Sequence, residues 1–125
     1  MKQPIFGSAL ALAAVTLAAL ALIPLATARI DRQAAATATT VQVKGGEFFF
    51  RLSAKSAAPG KVTFSFKNIG HVLHDFKING KKTPLIQPGK TAKLVVSLMK
   101  KGTYPYLCTV PGHAELGMKG VFKVR

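Results

Sequence analysis

From Val41 onward, apolar and polar residues alternate with a period of two, interrupted at short intervals by turn dipeptides. Val41 and Val43 alternate with Gln42 and Lys44. Gly45-Gly46 reads as a turn, and Glu47 to Ser53 as a second strand with aromatic residues on both faces. Ala58-Pro59-Gly60 is a turn by its Pro-Gly pair. In the strand that follows, Val62, Phe64 and Phe66 face inward while Lys61, Thr63, Ser65 and Lys67 face outward. Asn68-Ile69-Gly70 breaks it. His74, Phe76 and Ile78 then share one strand face, with Asp75 and Lys77 on the other, before the hairpin-type turn Asn79-Gly80. Gln87-Pro88-Gly89 turns the chain into a strand with Ala92, Leu94, Val96 and Leu98 inward. Lys101-Gly102 leads into Tyr104 to Cys108, and Val121 to Arg125 forms a last short strand. Seven or eight short strands with close turns and no amphipathic helix predict an all-β sandwich of Greek-key type.

Ahead of this region the pattern changes. Ile5 to Ala28 carries no charged residue over 24 positions, follows a minimal basic start at Lys2, and ends in Ala26-Thr27-Ala28, the small-x-small form of a signal-peptidase site. The run is also long enough for a membrane anchor, which needs about 20 apolar residues. Residues 1–28 are therefore expected to be a signal peptide or an N-terminal anchor. On either reading the remainder is exported, to the periplasm or the outer face of the cytoplasmic membrane. Residues 29–39 end in the low-complexity AAATATT and read as a flexible linker, and the domain is expected over residues 40–125.

The exported part is strongly basic: residues 29–125 hold 17 Lys and Arg against 4 Asp and Glu, a net charge of +13. This favours docking to partners with acidic surfaces or to an anionic membrane surface. The lysines are spread along the strands and no aromatic-basic motif appears, so nucleic acid is not an expected partner. An exported chain lives where thiols oxidise and cysteines come in even numbers, yet this chain has one, Cys108.

Cys108 is followed at fixed intervals by His113 and Met118, a Cys-x4-His-x4-Met loop closed by a strand on either side. Of the two upstream histidines, His74 shares its face with Phe76 and Ile78 and so points into the sandwich. His71 directly follows the Asn-Ile-Gly break and reads as a loop residue. Two imidazoles and a thiolate with a weak axial thioether are the ligand pattern of a type 1 copper ion. Structural zinc favours more cysteines and does not favour thioether. Asn68, Asp75 and Thr109 adjoin the ligand segments and are expected to orient them, with a hydrogen bond between the Asp75 and Thr109 segments.

The segments Asn68-Ile-Gly-x-x-x-His74-Asp75-Phe76 and Tyr106-Leu-Cys108-Thr-Val-Pro-Gly-His113-x4-Met118 together resemble the cupredoxins of the plastocyanin/azurin type over about residues 40 to 125. The resemblance implies copper held by His74, Cys108, His113 and Met118, and transfer of single electrons between redox proteins of cytochrome or oxidase type by a monomer that is not an enzyme. It also implies an apolar electron port of Val110, Pro111, His113, Ala114 and Leu116. The chain departs from the family pattern in four ways. Its Cys-to-His spacing is longer than in plastocyanins, its His-to-Met spacing is one longer than in azurins, and it has neither the azurin disulfide nor an acidic patch. The alternative function is periplasmic copper storage or delivery. A multicopper oxidase or nitrite reductase would need further histidine-rich sites, and this chain has 3 histidines in all.

Overall fold

The structure, a computed structural model, describes residues 38–125. The expected signal peptide or anchor and almost all of the expected linker lie outside the described residues. Nine strands follow in order: β1 (Thr39–Gly46), β2 (Phe49–Leu52), β3 (Ser56–Ala57), β4 (Gly60–Asn68), β5 (Lys77–Ile78), β6 (Lys81–Lys82), β7 (Thr91–Leu98), β8 (Gly102–Leu107) and β9 (Lys119–Val124). They form two sheets, one in the order β2-β1-β4-β7 and the other β3-β9-β8-β5-β6. Both sheets are mixed, since β1 runs parallel to β4 and β3 parallel to β9. The fold is the all-β Greek-key sandwich the alternation predicts.

The core is largely aromatic. Val62, Phe64 and Phe66 of β4 are fully buried and meet Phe76 and Phe122 from the opposite sheet side. Phe76 is the hub: its ring centroid lies 5.2 Å from Phe64, 5.3 Å from Phe50 and 5.4 Å from Tyr106. Burying a ring of this kind stabilises the fold by about 1.5–3 kcal/mol, and here it also anchors the segment two residues beyond His74.

Two local expectations are corrected. Gly45-Gly46 is not a turn but the end of β1, and the reversal falls at Glu47 and Phe48. The reason is pairing. Gly45 lies opposite Asn68 of β4 and Phe50 of β2, and its carbonyl accepts from the Ile69 N–H at 2.8 Å, so the ladder continues through both glycines. Second, His74 is not inside a continuous strand. It makes an isolated antiparallel bridge with Ile86, and the regular strand begins at Lys77. Lys77 is exposed as read, but Asp75 precedes the strand and is buried, its carboxylate held against Thr109 of the loop after Cys108. The Asn79-Gly80 hairpin forms as read, with φ of 49° and 75° at its two central residues, the pair of left-handed values that a tight hairpin needs.

Candidate metal centre

Two segments and one loop build the site. Asn68, fully buried at the end of β4, donates through Nδ2 to the carbonyls of Val72 (2.8 Å) and Ile86 (2.7 Å). Its Oδ1 accepts from the Gly70 N–H at 2.9 Å. One side chain thus shapes the 69–73 loop and draws it to Ile86, where His74 is held by two backbone bonds of 3.3 and 2.7 Å. Cys108 stands just beyond the end of β8, and its N–H donates to the Met118 carbonyl at 3.0 Å, closing the loop between them. Inside the loop, His113 N–H donates to Val110 O at 3.1 Å and Met118 N–H to His113 O at 3.1 Å. Gly112, with φ of 84°, supplies the left-handed turn after Pro111 that a side chain would oppose. Successive tight turns therefore return His113 and Met118 to the level of Cys108.

The donor atoms converge. His74 Nδ1 lies 3.1 Å from His113 Nδ1, and Cys108 Sγ lies 3.9 Å and 3.6 Å from those two nitrogens. Among the described residues these three form the one cluster of metal-ligating side chains whose donor atoms lie within 4.8 Å of one another. The point equidistant from all three is about 2.1 Å from each, the length of a metal–nitrogen bond and slightly short of a metal–sulfur one. Met118 is fully buried at the same end of the sandwich. A thiolate, two imidazoles and a thioether suit copper.

The environment tunes each donor. Burial pushes the Cys108 thiol above its ordinary 9.0, while backbone hydrogen bonds from Asp75 and Val110 pull it back. Burial, and then the adjacent His74, lowers His113 below its ordinary 6.5, against the pull of the Glu47 and Asp75 carboxylates. His113 therefore stays neutral near pH 7, with a lone pair to donate.

The expected outer residues take up definite positions. Asp75 Oδ1 accepts from the Thr109 N–H at 2.6 Å, and its Oδ2 accepts from the Thr109 hydroxyl. Val110 and Ala114 are half-buried, Pro111 is exposed, and Leu116 is 63% exposed around the half-buried His113. Ile69, Val72, Leu73 and Leu85 are also exposed, on the two segments joined at the His74–Ile86 bridge, and sequence reasoning did not include them. The His71 side chain is 95% exposed.

Sequence reasoning also missed Glu47, whose Oε1 lies 2.9 Å from His74 Nε2, and Phe48, whose ring meets His113 edge-on at 4.9 Å. Both occupy the turn that the Gly45-Gly46 reading misplaced. The one available signal was scarcity, since Glu47 is among only 4 acidic residues.

A family model described as copper binding proteins, plastocyanin/azurin family, matches residues 26–125. Among solved structures, the chain is similar to dithionite-reduced auracyanin from the photosynthetic bacterium Roseiflexus castenholzii, at 23% identity over 70% of this chain and 98% of that one, with a TM-score of 0.60. It is similar also to auracyanin B, at 24% identity over 70% of this chain and 89% of that one, again with a TM-score of 0.60. These likenesses are of fold. No curated protein matches the chain in sequence.

Proposed function

This chain belongs to the plastocyanin/azurin family of copper-binding proteins, and on that premise we propose that it is an exported carrier of single electrons between redox proteins. The observation that carries the reading is the triangle of His74 Nδ1, His113 Nδ1 and Cys108 Sγ beside buried Met118. Copper held there supplies one-electron redox chemistry.

The chain's own residues make such a transfer fast by not moving. His74 is fixed by the Ile86 bridge, Cys108 by its bond to Met118, and the two segments are joined by Asp75 and Thr109. A donor set fixed by packed strands changes little between oxidation states, so little reorganisation opposes the electron. His113 is the ligand ring that reaches toward solvent, and the apolar rim of Val110, Pro111, Ala114 and Leu116 lets a partner approach it and exclude water. That partner carries an acidic surface. Lys44 lies directly across from both Arg51 and Lys67, and Lys77 from Lys82. Like charges set directly opposite disfavour the sheet, so a docking role explains their presence better than stability does. Of the acids among the described residues, Glu47 and Asp75 are engaged at the site, leaving Glu115 on the metal loop.

The test is the visible spectrum of residues 29–125 after addition of Cu(II). An intense thiolate-to-copper band that disappears in Cys108→Ser is the expected result. Colourless, readily exchanged copper would replace the carrier reading with storage or delivery.

A further inference from the structure

The geometry points to Glu47 as a positioning residue for His74: its carboxylate fixes which imidazole nitrogen faces the metal and locks the ring in place. This deepens the copper reading above and rests on it. A carboxylate oxygen accepts hydrogen bonds, so at 2.9 Å from Glu47 Oε1 the proton of the neutral His74 ring sits on Nε2. Nδ1, on the opposite side of the ring, is then the bare lone pair that faces His113 and Cys108. A histidine ligand whose other nitrogen donates to a carboxylate is oriented and made more basic by it.

The carboxylate has a built seat. The same Oε1 accepts from the backbone N–H groups of His71 (2.8 Å) and Val72 (3.1 Å). Gly70 leaves the space that the carboxylate occupies, since a Cβ there would strike it. The parallel pairing of β1 with β4 sets Gly45 beside Asn68 and so lays the β1–β2 turn over the 70–72 loop. Phe48, the next residue in that turn, covers His113. A third segment, 27 residues before His74, therefore reaches both imidazoles.

The test compares wild type with Glu47→Ala and Glu47→Gln. In the copper-free protein, nitrogen chemical shifts of His74 should report the Nε2–H tautomer in wild type and a tautomer mixture in folded Glu47→Ala. Copper affinity, measured against a competing chelator, should fall about 10- to 100-fold in Glu47→Ala. Glu47→Gln keeps the size and one acceptor oxygen. It should keep the tautomer and most of the affinity, and raise the reduction potential by removing a negative charge beside a copper ligand. A folded Glu47→Ala that is unchanged in tautomer or in affinity overturns the assignment. Should Glu47→Ala not fold, an unchanged potential in Glu47→Gln overturns it. The tautomer is read without copper, so this outcome stays separate from failure of the copper reading, which the visible spectrum of the wild type reports.

Discussion

Asp75 holds Thr109 by two hydrogen bonds, one from its backbone N–H at 2.6 Å and one from its hydroxyl. The residue after His74 is thereby tied to the residue after Cys108, across 34 positions of sequence. Asp75→Ala leaves both partly buried Thr109 donors without their acceptor. The cost of a fully buried unpaired donor, about 1–3 kcal/mol, is the upper bound for each. The copper-free variant should unfold at lower denaturant concentration, and its copper should be lost faster to a chelator. Unfolding curves and chelator kinetics matching the wild type would remove Asp75 from the site's scaffold.

Gly45 is required for space. A Cβ there would lie 2.7 Å from Phe66 Cε2 and 3.0 Å from both Met118 Cε and Phe50 Cδ1. The buried Phe66 ring must shift, and Met118 Cε and Phe50 Cδ1 must each give by a few tenths of an ångström. Gly45→Ala should cost about 1–3 kcal/mol from overpacking and alter the visible spectrum by displacing the thioether. A spectrum identical to wild type would show that the Met118 side chain does not respond to this contact.

Acid should weaken the copper-free protein through Glu47. Hydrogen bonds from the His71 backbone first, and then from the His74 side chain, lower its pKa from 4.5 to about 2 in the folded state. A depressed folded pKa means that the stabilisation is complete above pH 4.5 and is lost as pH falls toward about 2. Thermal unfolding followed across that interval should show a decline in wild type that is smaller in Glu47→Gln. Equal declines would assign the acid sensitivity to other groups.

Copper uptake should release a proton from Cys108. Burial holds the free thiol above its ordinary 9.0, so it is protonated at pH 7, whereas a coordinated sulfur is a thiolate. His113, lowered below 6.5, adds no proton at that pH. Calorimetry in two buffers of different ionisation enthalpy should report about one proton released per copper at pH 7, and affinity should rise with pH. A buffer-independent heat would mean that the thiol is already ionised in the copper-free protein.

Salt should slow electron transfer to an acidic partner. The residues after position 28 carry +13, and exposed charges are screened over about 8 Å at physiological ionic strength. Second-order rates from stopped-flow mixing should fall steadily as salt is raised. A salt-independent rate would assign docking to the apolar rim alone.

The period-two alternation determined the sandwich, because inward residues such as Val62, Phe64 and Phe66 have no other way to leave water together. Much of the donor set was legible as well: Cys108, His113 and Met118 lie on one loop, where spacing confines them, and the apolar alternation with Phe76 and Ile78 pointed to His74. The structure, however, holds His74 by an isolated bridge to Ile86 rather than within a strand. What the tertiary structure decided is everything that depends on pairing between distant strands. The parallel alignment of β1 with β4 carries the ladder through Gly45-Gly46, moves the turn to Glu47-Phe48, and lays that turn across both histidines. Local sequence records each residue's preference for strand or turn. It does not record which strand becomes its neighbour, and the placement of Glu47 against His74 follows from that neighbour alone.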